Sequence, residues 1–282
     1  MEQEYQKKTF AVTNADLANF RKESNMLNQE GIYLVFRTKA EAVRELLPPP
    51  FEITDPCFAY LSVTHIKNPT FADPYYETIL SVAAKYDGKP AAYPLSLLLG
   101  GQGAEMATVF GREFGAMPKK LGCEFNIRRN GDEISVAMAR RGAQIIDLRM
   151  TLGDYNHPMA DTCFGKPYVG KENKGQSYFI YWDRLAGIDP VHHEDQTALL
   201  RSHSTMIYRK WEPGSIDLKL GATEDDPWGC LPVVEMLGGA WCVNDLILEY
   251  QEWVQALKAE EVKPKILYAW YDKTGFGHLG RN

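Results

Sequence analysis

No uninterrupted apolar run in the 282 residues approaches the roughly 20 needed to span a bilayer. The opening Met1-Glu2-Gln3-Glu4-Tyr5-Gln6-Lys7-Lys8 lacks the apolar stretch of a secretory signal. A membrane partner is not expected, and the expected location is cytoplasmic. Cysteine is scarce: the five (Cys57, Cys123, Cys163, Cys230, Cys242) are odd in number and never spaced Cys-x-x-Cys, which argues against both a disulfide framework and a thiolate zinc site. A basic excess is missing too. Lys and Arg total 31 against 37 Asp and Glu, for a net charge of -6, and they are dispersed, so the electrostatic footprint of a nucleic-acid binder is absent. Gly101-Gln102-Gly103 lacks the third glycine of a dinucleotide fingerprint, Met106 standing in its place, and there is no Gly-x-Ser-x-Gly elbow. His192-His193-Glu194-Asp195 has no third ligand at useful spacing and reads as a surface loop. Neither a cofactor nor a metal is expected, and a small molecule is the default partner.

What is present is strand after strand. Gly31 to Phe36 is a run of β-branched and aromatic residues, and Phe58 to His65 alternates, with Ala59, Leu61, Val63 and His65 on one side. Tyr76 to Tyr86, Tyr93 to Leu99, Glu124 to Arg129, Glu133 to Ala139, Gln144 to Leu152, Tyr178 to Trp182, Ser202 to Trp211 and Ile216 to Leu220 continue the pattern, and Asn130-Gly131 signals a hairpin. Helices are expected from Asn14 to Lys22, after a capping box of Thr38 with Glu41, and from Gly103 to Phe114. Pro232 to Lys258 carries helical periodicity broken by Gly238-Gly239, and residues 1–27 and the tail from Ala259 read as peripheral. The balance of elements predicts a mainly β, α+β fold in one domain: a large curled antiparallel sheet, barrel or two-layer sandwich, flanked by a few helices.

Lys119 and Lys120 lie just past the helix that Gly115 and Pro118 end, and before the next strand. On the dipeptide alone this is a solvated turn. The twelve residues Gly111-Arg112-Glu113-Phe114-Gly115-Ala116-Met117-Pro118-Lys119-Lys120-Leu121-Gly122, however, closely resemble the signature of the acetoacetate decarboxylase family. The resemblance extends over roughly residues 28 to 250: Tyr33 to Pro56 follows the family's N-terminal pattern, and Tyr76-Glu77 its acidic motif. Leu231-Pro232-Val233 with Glu235, and Asp245 with Ile247 and Leu248, look like its closing helices. The resemblance implies that Lys119 forms a Schiff base with a small oxo acid, that no cofactor is needed, and that the chain forms homo-oligomers.

That chemistry needs an uncharged amine, whereas a free lysine, with a pKa of about 10.4, is almost wholly ammonium near pH 7. Lysines of this family are activated by burial or by a neighbouring cation, for which Lys120 is the obvious candidate. Residues adjacent on an extended strand point to opposite faces, so the expectation is Lys119 inward, Lys120 outward, and burial the larger cause. Glu77 is the candidate acid, to orient substrate or to carry a proton. Glu113, close before the lysines, is a further candidate contact.

Three positions depart from the family pattern. Gln29 stands where the decarboxylases carry an arginine before Glu30, Leu61 where they carry a glutamate after Tyr60, and Met117 where an aromatic is usual. These are candidate substrate-binding positions. A glutamine cannot make the forked, charged contact by which arginine holds a carboxylate, and Leu61 carries no proton. Decarboxylation of a 3-oxo acid therefore competes with a second use of the same imine, an aldolase-dehydratase joining pyruvate-like acids to aldehydes, and with a non-catalytic protein that binds a small ligand.

Overall fold

The computed structural model describes residues 11–19, 24–165, 168–183 and 196–274. The expected helix at the N-terminus is present as α1 (Asn14–Asn19), where Thr13 and Asp16 hydrogen-bond reciprocally, the Asp16 N–H donating to Thr13 Oγ1 at 3.1 Å and the Thr13 N–H to Asp16 Oδ2 at 3.0 Å. The expected continuation to Lys22, and the His192 to Asp195 loop, lie outside the described residues.

Among the described residues twelve strands form one sheet: β1 (Asn25–Arg37), β2 (Glu52–Ile53), β3 (Phe58–Pro69), β4 (Tyr75–Tyr86), β5 (Lys89–Gly100), β6 (Lys119–Lys120), β7 (Cys123–Asn130), β8 (Glu133–Arg140), β9 (Ala143–Leu152), β10 (Glu172–Trp182), β11 (Thr197–Leu220) and β12 (Glu235–Leu257). Their order is β6-β5-β4-β3-β1-β12-β11-β9-β8-β7, with β10 paired to β11 and β2 to β4. Every pairing is antiparallel except β5 with β6. Because β10 also lies against β5, the sheet curls back on itself as expected. The tight turns are legible: Gly131 alone has positive φ between β7 and β8, the II′ arrangement, whereas Asp87-Gly88 and Arg141-Gly142 are positive at both central residues, as type I′ requires.

The sheet has two differently covered faces. One buries the main core, where Ile32, Leu34 and Phe36 of β1 meet Leu61 and Val63 of β3 and Leu80 and Val82 of β4. The other is capped near one end by α3 (Ala104–Gly115), over Met26, Ile66, Leu97 and Leu99, and near the other by α4 (Met159–Phe164), over Val35 and Leu237.

Four expectations need correction. Pro232 to Lys258 is not helical: Glu235–Leu257 is β12, a central strand between β1 and β11. From Leu237 to Cys242 every residue is buried, and a strand covered on both faces loses the alternation by which strands are recognised. Gly238 (φ 119°) and Gly239 are not a break but a close approach, since a Cβ on Gly239 would fall 2.6 Å from the Tyr33 carbonyl oxygen. Second, α2 (Ala40–Leu46) has no capping box; Lys39 is its N-cap, and Thr38 Oγ1 is buried without a partner. Third, Ser202 to Trp211 and Ile216 to Leu220 are one strand, β11, whose neighbour changes from β10 to β9 near Pro213 and Gly214. Fourth, parts of the two ends are core: Met26 is buried under α3, and α5 (Ala259–Trp270) buries Val262, Ile266 and Trp270 in the main core.

Trp270 is 2% exposed, so Trp270→Ala should cost about 3–5 kcal/mol in urea unfolding. Trp253→Ala, at a side chain 55% exposed, should leave the midpoint nearly unchanged. Equal effects would mean that α5 does not pack as described.

Candidate active site

Strand register decides which side chains share a face, because residues directly opposite one another in a sheet project to the same side. On the face under α3, one row runs Tyr33, Ser62, Ile79, Leu97, Lys119 across β1, β3, β4, β5 and β6. The next runs Gly31, Thr64, Glu77, Leu99, and a third runs Tyr208, Asn244, Gln29, Ile66, Tyr75. Lys119 and Glu77 thus stand in adjacent rows, two strands apart, within reach of a lysine side chain. Their charged ends meet: Lys119 Nζ is 2.7 Å from Glu77 Oε2, with side chains 3% and 6% exposed.

The local chain is shaped to deliver that amine. α3 ends on Ala116 in the left-handed conformation (φ 51°), with the Met117 N–H donating to the Gly111 carbonyl at 3.0 Å. The Lys119 N–H then donates to the Met117 carbonyl at 2.8 Å, a three-residue turn centred on Pro118 that swings the chain into β6 beside β5. Gly111 leaves the space that the lysine fills, since a Cβ there would lie 2.7 Å from Lys119 Cε and 3.1 Å from Nζ. A cavity of about 360 Å³ opens onto Lys119, walled by Met26, Phe71, Phe110, Phe114, Met117 and Leu248. Lys119 is the sole basic side chain lining it among the described residues, and Glu249 brings an acid.

Polar groups are buried on this face. Among the described residues Tyr75 Oη and Thr108 Oγ1 have no hydrogen-bond partner, and the fully buried Asn244 side chain adjoins the Tyr33 hydroxyl. Burial raises the pKa of Tyr75 well above its usual value, helped by the negative Glu77, so its hydroxyl stays a neutral donor. Tyr33 is raised for the same first reason, with Tyr208, Cys242 and Glu77 adding to it. Tyr33, Tyr75, Thr108 and Asn244 carried no motif in the sequence; only the β1 to β12 pairing, hidden by the helical reading of β12, places Asn244 beside Gln29.

Of the sequence-predicted residues, Lys119, Glu77, Gln29 and Met117 come together on this face, Gln29 donating weakly to the Met26 carbonyl at 3.3 Å. Leu61 does not join them: it pairs with Leu80 on the opposite face and is core. His65, which shares Leu61's side, stacks on Tyr76 with centroids 4.3 Å apart. Glu113 is exposed on the outside of α3. Lys120 projects opposite to Lys119, as alternation requires, yet not to solvent. It is 4% exposed, 2.7 Å from Asp226 Oδ1 and 3.3 Å from Asp272 Oδ1, and donates to the Asp225 carbonyl at 2.6 Å. The alternation argument missed this because the covering acids lie more than a hundred residues further along the chain. Lys120 is therefore a neutralised structural cation.

A buried amine in contact with a carboxylate, the amine opening onto a cavity of mixed apolar and polar lining, is an arrangement suited to carbonyl chemistry. The family model described as acetoacetate decarboxylase (ADC) matches residues 11–257, and the chain belongs to that family. It is 32% identical to the CLA biosynthesis isomerase of Lactiplantibacillus plantarum over 275 residues, 95% of this chain and 96% of that one. It is 30% identical to an acetoacetate decarboxylase of Streptomyces nogalater over 223 residues, covering 78% and 84%. Among solved structures, an acetoacetate decarboxylase superimposes with a TM-score of 0.70 at 20% identity, covering 84% of this chain and 92% of that one. The enduracididine biosynthesis enzyme MppR, complexed with pyruvate, does so with 0.59 at 15% identity, covering 82% and 90%. No helix among the described residues is long and apolar enough to cross a membrane.

Two outcomes follow from this geometry. Gly111→Ala should push the lysine chain aside and slow trapping of a Lys119 adduct by about tenfold or more while the protein stays folded. An unchanged trapping rate would show that the amine does not depend on that space. Asp225 and Asp272 both have lowered pKa values: burial pushes each up, but hydrogen bonds, from Thr274 to Asp225 and from Arg140 to Asp272, together with nearby Arg and Lys charges outweigh it. A depressed folded-state pKa means stability present above the usual aspartate value of 3.8 and lost as pH falls through the folded value. The melting temperature should therefore drop as the pH is taken from 5 to about 3, and drop less in Asp272→Asn.

Proposed function

We propose that the chain is an isomerase of oxo compounds, moving a carbon-carbon double bond relative to a carbonyl that Lys119 holds as an iminium. The observation that carries this reading is the Lys119 and Glu77 pair, amine to carboxylate at 2.7 Å, with no second basic side chain lining the cavity among the described residues. An acid whose carboxylate adjoins the reacting carbonyl would set that charge beside Glu77 with only neutral groups such as Gln29 and Asn244 to receive it. A ketone flanked by apolar chain meets no such penalty, and Tyr75 and Thr108 supply neutral hydrogen bonds. The similarity to the CLA biosynthesis isomerase, over nearly the whole of both chains, supports the same reading.

The steps use these residues alone. Glu77 takes a proton from the Lys119 ammonium, the free amine adds to the carbonyl carbon and passes one of its own protons to the oxygen, and Glu77 returns its proton to that oxygen, which leaves as water. The iminium acidifies the carbon between itself and the double bond. Glu77 removes that proton to give a dienamine and delivers it to the far carbon of the former double bond, after which water releases the conjugated ketone and the amine. Apolar walls limit entry of further water to the reactive intermediate.

A lyase reading, decarboxylation of a 3-oxo acid or aldol condensation and dehydration with pyruvate-like acids, uses the same imine and is favoured by the paired-lysine signature of the family. One experiment separates them. Purified protein is incubated with a β,γ-unsaturated ketone, with acetoacetate, and with pyruvate plus an aldehyde, and each sample is also trapped with borohydride and weighed intact. Growth of conjugated-enone absorbance, reduced by about 10²-fold or more in Glu77→Gln and abolished with the adduct in Lys119→Ala, is expected. Carbon dioxide from acetoacetate, or aldehyde consumption, in place of enone would favour the lyase. Absence of any adduct in all three samples would sink both.

A further inference from the structure

The family model ends at residue 257, yet the residues after it hold the catalytic strand from behind. Asp272 Oδ2 lies 2.7 Å from Arg140 Nη2 and 2.8 Å from Arg141 Nη2, while its Oδ1 lies 2.9 Å from Arg140 Nη1 and 3.3 Å from Lys120 Nζ. Arg140 in turn donates to the Leu121 carbonyl at 2.6 Å and to Asp226 at 2.7 Å. Thr274 adds its N–H and hydroxyl to Asp225, at 2.9 and 2.6 Å. Two residues earlier, the rings of Trp270 and Tyr271 lie 5.3 and 5.2 Å from the Arg112 guanidinium, which donates to the Lys119 carbonyl at 3.4 Å.

We propose that residues 270–274 form a clasp that positions Lys119, with Asp272 as its principal positioning residue. The clasp contacts the Arg112, Lys120 and Arg140 side chains directly, and through Arg112 and Arg140 it reaches the Lys119 and Leu121 carbonyls. Three basic groups, Lys120, Arg140 and Arg141, meet three acids, Asp225, Asp226 and Asp272, so removing one acid leaves a buried cation short of a partner. A strand of two residues, bonded to β5 alone, has few other restraints. Asp272 touches no part of the cavity, and its effect passes through Lys120 and Arg140.

This rests on Lys119 being the reactive amine but not on which bond the imine serves. The test reads Asp272→Asn and Asp272→Glu in the full chain by two measurements. The first is deuterium uptake of the 117–123 backbone, which needs no substrate; the second is the rate of borohydride-trapped imine formation across oxo-compound concentrations. Expected in Asp272→Asn is faster uptake over 117–123, with imine formation at saturation slowed about tenfold or more, half-saturation within about twofold, and most of the rate regained in Asp272→Glu. Unchanged uptake, or a wild-type trapping rate in a folded Asp272→Asn, overturns the clasp. If Asp272→Asn does not fold, Arg112→Lys, which keeps the charge but loses the planar stack, is read against the same two outcomes. A wild-type protein that traps nothing removes the Schiff-base reading, and the uptake arm then decides the clasp alone.

Discussion

Burial of the Lys119 and Glu77 pair is the constraint to which the rest of the structure answers. Taking two charges out of water costs several kcal/mol per ion, and their attraction offsets this only where geometry and neighbouring polar groups are right. The fold meets that demand with rigid parts. A sheet row brings Glu77 to the floor, a three-residue turn at Pro118 aims the lysine, and Gly111 vacates the volume its side chain crosses.

The two-residue strand that carries Lys119 separates two unlike environments. On the cavity side the Lys119 amine meets the Glu77 carboxylate, and Glu249 is a second acid at the cavity wall. Behind it Lys120 enters a buried lattice of arginines and aspartates that is balanced in charge and bound to backbone carbonyls. The paired lysines thus divide labour: one is kept short of partners, and the other is saturated with them. Lys120 is not a cation facing the Lys119 amine, because it is paired with Asp226 and Asp272 on the far side of the strand.

Much of this was legible in the chain. The period of two along Phe58 to His65, the Asn130-Gly131 turn, and the Gly115 and Pro118 that end α3 are local signals, and each marked its element. β12 was not legible, since burial of both faces from Leu237 to Cys242 erased its alternation. Losing β12 also lost Asn244. Leu61 and Gln29 were both noticed as departures from a family pattern, but only pairing across the sheet shows that one faces the cavity and the other the core. A shift of a single residue in register would exchange their faces.

By itself the sequence determined the class of fold and the family and drew notice to Lys119, because these depend on short-range periodicity and on a contiguous motif around that residue. Tertiary structure alone decided what that amine meets. Glu77 lies 42 positions before Lys119, and Asp272 lies 152 positions after Lys120. Contacts over such separations depend on strand order and curl, which leave no mark in any short window of residues.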